Sequence, residues 1–239
     1  MKLVVVVPAY NAARFLPDLV RRLVDARPPG LFRIVLVDDG SKDATAATAR
    51  ELASKIPNVE AVIRPTNGGY GAAMKAGLEV ARRLDADRAA SVHADGQYSP
   101  EVLADLLAAL DRQRLDLLQG SRIAGGQALT GGMPLYKYAG NWALNKIERW
   151  ALSLPMTDFH SGYLIYGRCA LDRIPFVQLS DSFDFDLEVI AAARARGLAV
   201  GEAPIPTRYG DEVSHLNPIT YGLRVLRVLW RFKRGAYGI

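Results

Sequence analysis

Short, wholly apolar runs alternate along the chain with longer stretches in which apolar side chains recur every three or four positions. Residues 3–7 are such a run, Leu3 followed by valines and stopped by Pro8. A continuous β-branched run is the mark of a strand buried on both faces. Residues 12–26 place Phe15, Leu16, Leu19, Val20 and Leu23 among Arg14, Asp18, Arg21, Arg22 and Asp25, the spacing of an amphipathic helix. The same reading predicts strands over 32–37, 59–63, 88–93 and 115–119. It predicts helices over 43–55, 71–84 and 99–111, the last with Ser99 as N-cap and Pro100 in its first turn. Strands alternating with helices predict an α/β fold, a mostly parallel sheet with helices on both faces. Past residue 121 the alternation loosens: a Gly-rich stretch over 120–132, a helix over 135–154, a strand over 162–166, a helix over 186–196, a strand over 199–205 and a helix over 219–233. This half is expected to complete the sheet of a single domain, not to fold alone.

Composition narrows the class. With 239 residues, half of them hydrophobic, the chain can bury a full core, which excludes disorder. A single cysteine, Cys169, excludes a disulfide framework and a Cys-rich zinc site, and is expected to be a small buried apolar residue. The formal charge of +5 suits an anionic partner. The apolar run after Met1 is too short for a secretory signal, and no window reaches the length of a membrane span, so a cytosolic protein is expected. No GxxxxGK[ST] occurs, and Gly69-Tyr70-Gly71-Ala72-Ala73 is followed by Met74 where a dinucleotide fingerprint needs glycine. No nucleic-acid recognition motif is present, and nucleic-acid binding would leave the strand-end acids without a role.

In a parallel α/β sheet, ligands bind beyond the carboxyl ends of the strands. Four polar clusters fall there: Pro8-Ala9-Tyr10-Asn11, Asp38-Asp39-Gly40-Ser41, Asn67-Gly68-Gly69 and His93-Ala94-Asp95-Gly96-Gln97. The Asp38-Asp39 turn either accepts hydrogen bonds from a base or ribose or caps the following helix. Asp95 can hold Mg²⁺ or Mn²⁺ against a diphosphate. His93 and Gln97, at alternate positions, either join it as ligands or, for His93, end the strand with an ordinary hydrogen bond. Asp184 and Asp186 also fit a helix start, where acids meet the positive end of the dipole. His160 and His215 read as loop hydrogen-bonders, and Tyr138, Trp142 and Trp150 as packing or surface aromatics with Lys137, Lys146 and Arg149 nearby.

Taken in order, VVVVPAYNAA, VDDGSKDAT, NGGYGAAMKAG, HADGQYSPE and QGSR resemble the family 2 glycosyltransferases of the GT-A fold, over roughly residues 3–215. The GSR segment and IPTRYGDEVSH are most similar to the polyprenyl-phosphate and dolichyl-phosphate members, which move a sugar from a nucleotide diphosphate to a lipid phosphate with inversion. The resemblance implies that Pro8, Tyr10 and Asp39, with Asp38 beside them, hold base and ribose. It implies that Gly68, Gly69 and Gly71 close over the nucleotide, and that His93, Asp95 and Gln97 form the metal segment, with His93 in place of an aspartate. Arg122 matches a phosphate-meeting arginine and Lys137 a second basic residue. Arg208 and Ser214 match a late loop over the donor phosphates or acceptor. Asp186 and Glu188 match an acidic segment of the acceptor helix. Ala12 stands where mannosyltransferases usually carry glutamate. Implied partners are a UDP- or GDP-sugar, a divalent metal, Mg²⁺ or Mn²⁺, and a lipid phosphate. The implied division is a nucleotide-sugar half over 1–120 and an acceptor half over 121–218. A phosphate acceptor is already ionised and needs no general base; for a hydroxyl acceptor Asp186 is the candidate base. A nucleotide-sugar-binding protein without turnover is the remaining alternative.

Residues 219–239 read as a basic amphipathic helix. Arg224, Arg227, Arg231 and Arg234 recur at intervals of three and four and are expected along one face, with Lys233 adding a fifth charge. Such a helix is too charged to span a bilayer; it either lies at the interface, holding the protein at the inner face of the cell membrane or against a membrane partner, or packs on the protein's own core with its arginines solvated.

Overall fold

A computed structural model of the chain describes residues 1–96, 99–125, 135–206 and 218–238, without the side chains of 135–139, 141, 218 and 219. Gln97, Arg208, Ser214 and His215 lie outside the described residues, as does the side chain of Lys137. The elements run β1 (Leu3–Ala9), α1 (Leu16–Ala26), β2 (Leu31–Asp38), α2 (Thr45–Lys55), β3 (Val59–Ile63), α3 (Tyr70–Arg83), β4 (Arg88–Ser91), α4 (Leu103–Arg112), β5 (Leu117–Ser121), α5 (Leu135–Leu152), β6 (Leu164–Gly167), α6 (Arg168–Arg173), α7 (Phe185–Ala195), β7 (Val200–Pro204) and α8 (Pro218–Lys233).

The strands form one sheet in the order β3-β2-β1-β4-β6-β5-β7. β1 pairs in parallel with β2 and β4, Val5 standing opposite Ile34 on one side and Ala90 on the other. β6 alone among the described strands runs antiparallel to both its neighbours. The apolar run of β1 is split by the pleat as its composition demands. Val4 and Val6 enter a core with α3, α5, α6, α7 and α8. Leu3, Val5 and Val7 enter a second core with α1, α2 and α4. The expected mostly parallel sheet covered on both faces is thus present.

Some local readings are corrected. Ser99 does not cap a helix: a 3-10 turn over Pro100–Val102 intervenes, and the Ser99 hydroxyl donates instead to the Glu101 carboxylate. Residues 12–15 form a turn before α1, held by the Ala12 N–H donating to Thr45 Oγ1 at 2.8 Å. Helix α6 directly follows β6, a run too short to show helical periodicity. Cys169, expected buried, is exposed on the first turn of α6, whose inward positions are Ala170 and Leu171.

Helix α8 packs on the body through Val225, Val228 and Leu229, all buried. Burying each such side chain contributes about 1.5–3 kcal/mol, against about 1 kcal/mol for a cation near an anionic surface. The apolar side therefore sets the orientation of α8. Arg224, Arg227 and Arg231, with Arg234 just past its end, do not share one free face. Arg224 pairs with Asp184 at 3.2 Å, and Arg231 pairs with the buried Glu188, leaving Arg227 and Arg234 outward.

Candidate active site

The carboxyl ends of β1, β2 and β3 are tied to one another by short polar side chains. The Asn11 N–H donates to Ser41 Oγ at 2.9 Å, and the Lys42 N–H returns a bond to Asn11 Oδ1 at 2.9 Å. Asn11 has φ +50, a left-handed conformation that asparagine tolerates. Asp38 is buried and accepts from the Ser41 N–H at 3.3 Å, closing its own turn. Asp39 is buried too and reaches the β3 loop: it accepts the N–H of Gly68 at 3.1 Å and of Gly69 at 2.8 Å, and pairs with the Arg64 guanidinium. Pro8 is half-buried and Tyr10 exposed at the rim of this cluster. Sequence reasoning missed Arg64. Only the tertiary fold puts it beside Asp39, although a lone cation closing a strand-end loop was a usable signal.

Gly69 and Gly71 are required by close packing. Gly69 sits at φ +98 with the Asp181 carbonyl where a Cβ would be, and a Cβ on Gly71 would overlap the Ser180 carbonyl oxygen. The start of α3 is thereby pressed onto the 180–182 loop, which brings Tyr70 over the ends of β4 and α7. The Tyr70 hydroxyl donates to Asp186 Oδ2 at 2.8 Å and lies 3.2 Å from His93 Nε2. Its ring stacks on Phe183 and meets Phe185 edge-on. Burial of the hydroxyl, with Asp186 beside it, pushes the Tyr70 pKa well up. Asp186 is 6% exposed, and burial raises it to about 7, the Tyr70 bond opposing this only in part. Its Oδ1 is buried with no hydrogen-bond partner among the described residues.

His93 and Asp95 lie on the turn after β4, with Gly96 at φ +72. Burial lowers the His93 pKa, Asp95 opposes, and Arg122 adds to the lowering, so the three groups lie within electrostatic reach. Arg122 ends the QGSR segment on β5. There Ser121 Oγ accepts the Ile123 and Ala124 N–H groups and turns the chain. The Arg122 guanidinium forks onto Asp158, Nε at 2.8 Å and Nη2 at 3.0 Å. Burial works against the Asp158 charge, but Arg122 outweighs it and holds the carboxyl below its usual range. Glu202 on β7 supports the segment by accepting from the N–H and hydroxyl of Thr157 and the N–H of Asp158. Asp158 was also missed. An acid followed by Phe-His-Ser-Gly between a helix and a strand was the signal.

The structure thus joins Asp38, Asp39, Gly68, Gly69 and Gly71 with Tyr70, His93 and Asp186, and brings Asp95 and Arg122 near His93. Glu188 stands apart: it is buried, accepts from the Ser180 N–H at 2.5 Å, and clamps Arg231 and Tyr237 of the C-terminal segment.

A divalent cation fits this site in one way. Asp95 supplies a hard oxygen at a half-buried strand end. His93 Nε2 is taken up by Tyr70, and no cluster of three His, Cys, Asp or Glu exists among the described residues. The described residues therefore suit an ion that draws further ligands from substrate phosphates and water.

Residues 4–174 match the family described as Glycosyl transferase family 2, and the chain belongs to that family. It is a glycosyltransferase. Among curated proteins it is 34% identical over 203 residues to the polyprenol monophosphomannose synthase of Mycolicibacterium smegmatis, covering 84% of this chain and 75% of that one. It is 28% identical to the UDP-N-acetylglucosamine–dolichyl-phosphate N-acetylglucosaminyltransferase of Methanococcus voltae, covering 96% and 95%. Its fold matches the crystal structure of Mycobacterium tuberculosis glucosyl-3-phosphoglycerate synthase with TM-score 0.72 at 17% identity, over 97% of this chain and 80% of that one. The same synthase has been crystallised with Mn²⁺, uridine diphosphate and phosphoglyceric acid. The GT-A reading of the sequence agrees with this likeness.

Proposed function

We propose that this protein transfers a hexose from a UDP- or GDP-sugar to the phosphate of a polyprenyl or dolichyl phosphate, with inversion, at the cytoplasmic face of the membrane. The observation that carries the reading is the placement of Asp95, His93 and Arg122 just past the ends of β4 and β5, within electrostatic reach of one another, together with a loop cluster organised by Asp39. The named activities of the mycobacterial and archaeal relatives support a lipid-phosphate acceptor. In this reading residues 1–120 hold the donor and 121–218 the acceptor side.

The roles follow from charge. An acceptor phosphate oxygen attacks the anomeric carbon, the bond from that carbon to the diphosphate oxygen breaks, and the electron pair leaves on the nucleoside diphosphate. Asp95 is the residue that would hold Mg²⁺ or Mn²⁺, which when bound supplies positive charge to the departing diphosphate. Arg122 faces the same developing charge, oriented by its fork on Asp158. Pro8, Tyr10 and the Asp38–Asp39 turn bound the space for base and ribose, and Gly68, Gly69 and Gly71 shape its edge. Lys137, Arg208, Ser214 and Gln97 are carried by the family resemblance alone. His93 acts here as a neutral hydrogen-bonding residue that seats Tyr70, not as a metal ligand.

One observation favours a second reading, transfer to a saccharide, protein or small-molecule hydroxyl. Asp186 titrates at about 7, where a general base is most effective. Its placement against Tyr70 and His93, away from solvent, weighs against this.

The test is a donor screen with purified protein and a short-chain prenyl phosphate, beside the matching prenol. Product is expected only from the phosphate, and Asp95→Ala is expected to lower turnover by about 10²–10³-fold. Transfer to the prenol, or full activity of Asp95→Ala in chelator, overturns the reading.

A further inference from the structure

All three tryptophans of the chain stand in solvent, and all three belong to α5 and α8. Trp142 is 53%, Trp150 75% and Trp230 55% exposed. Leu223 and Leu226 on α8 and Ile147 on α5 are exposed as well. On α5, Trp142, Lys146 and Trp150 follow one another at intervals of four, one stripe of the helix. On α8 and the residue after it, Leu223, Arg227, Trp230 and Arg234 do the same at intervals of three and four, with Leu226 one turn before Trp230. The stripes are linked where the ammonium of Lys233 on α8 lies 5.0 Å from the Trp150 ring centre on α5.

Every tryptophan lies under a cation. Lys146 covers Trp142 at 3.8 Å and Arg234 covers Trp230 at 4.1 Å, beside the Lys233–Trp150 pair. Lys146, Arg149, Trp150, Ser153, Leu154 and Pro155 line an open depression next to this face. Across the 18 residues of α5 and the 16 of α8 the only acid is Glu148, and it is fully buried, 3.1 Å from His160. The face is thus apolar and cationic together, without exposed acids of its own. Two copies meeting through it would set cation against cation. Amphipathic rings with long cationic neighbours match the headgroup boundary of a bilayer, ring inward and charge at the phosphates.

We propose that α5 and α8 together form the face on which this protein lies against an anionic lipid bilayer. Trp142, Trp150 and Trp230 enter the headgroup region, and Lys146, Arg149, Arg227, Lys233 and Arg234 meet lipid phosphates. The proposal rests on the lipid-acceptor reading and names the surface that serves it. The same two helices lead inward to the site: Glu148 of α5 and Tyr221 of α8 flank His160, whose N–H, like that of Arg122, donates to Asp158. A bilayer under α5 and α8 therefore lies against the side of the molecule that positions Arg122.

Flotation with vesicles of phosphatidylcholine containing about a third phosphatidylglycerol tests this at low and high salt. The full chain is expected to float with these vesicles at low salt and not with phosphatidylcholine alone. Lys146→Gln and Lys233→Gln are each expected to weaken binding about fivefold. The triple Trp142→Ser, Trp150→Ser, Trp230→Ser variant is expected to stay unbound while keeping its unfolding midpoint. Absence of flotation, or single-charge variants that bind like the parent, overturns the proposal even if the triple variant fails to fold. So does a dimer that Trp150→Ser dissociates, or tighter binding to a DNA duplex than to the vesicles. Transfer to a soluble short-chain prenyl phosphate without vesicles separates this proposal from the functional reading. If transfer persists and flotation fails, the face is wrong and the function stands. If flotation holds and no prenyl phosphate is glycosylated, the face stands and the function falls.

Discussion

Replacing Asp186 with asparagine removes a buried carboxyl whose ionisation the fold resists. Its folded value is about 7, against 3.8 for an ordinary aspartate. Each unit of difference corresponds to about 1.4 kcal/mol, so the ionised side chain costs the folded state roughly 4 kcal/mol at alkaline pH. The folded chain keeps this proton up to about pH 7, while the unfolded chain releases it near 3.8. Between those values the folded state binds more protons, so stability falls as pH rises through the window and levels off above it. Asparagine has no such proton and keeps a donor and an acceptor for Tyr70. Wild-type stability, taken relative to Asp186→Asn, should therefore drop by roughly 2–3 kcal/mol between about pH 5 and pH 8. Urea unfolding of both proteins at the two pH values measures this, with similar denaturant slopes as the check on two-state behaviour. A difference that does not move with pH, or moves in favour of aspartate at high pH, refutes the reasoning. Turnover read on the same variant adds a second result. With a lipid-phosphate acceptor it stays within a few-fold of wild type, whereas loss of a general base costs about 10²–10⁴-fold.

Arg122→Ala strands the fully buried Asp158 carboxylate and should destabilise by about 3–5 kcal/mol in urea unfolding; a loss under about 1 kcal/mol contradicts the bidentate pair. Arg122→Met combined with Asp158→Asn should recover much of that loss without restoring turnover, which separates packing from phosphate chemistry. Gly71→Ala should cost about 1–3 kcal/mol because its Cβ overlaps the Ser180 carbonyl. Gly222→Ala, in α8 with nothing near its Cβ position, should instead stabilise by about 0.5–1 kcal/mol. Thermal midpoints that move the same way in both glycine variants contradict that contrast.

Much of the fold could be read from local pattern. The valines of β1 announce burial on both faces, and the pleat delivers them alternately to two cores. The amphipathic spacing of α1 and the glycine punctuation before α3 are local properties, and the elements appear within a few residues of where they were expected. The positions of the strand-end clusters were legible for the same reason, since a parallel sheet puts every such loop at one edge. Strand direction was not. An apolar run encodes a strand, but nothing within residues 162–166 states that β6 inserts antiparallel between β4 and β5.

Partner choice is what the tertiary structure alone decided. Arg64 meets Asp39 across 25 residues, Arg122 meets Asp158 across 36, and Arg224 and Arg231 meet Asp184 and Glu188 across 40 and 43. Helical periodicity put the arginines of α8 on one face. It could not say that two of them would be held by Asp184, at the cap of α7, and Glu188 within it. Likewise, the segment around His93 announces a strand end with chemistry, but whether its imidazole faces a metal or Tyr70 depends on how α3 docks. Periodicity records the environment each element needs along its own axis. Which charged groups neutralise one another depends on sheet order and helix packing, which are set by burial summed over the whole chain.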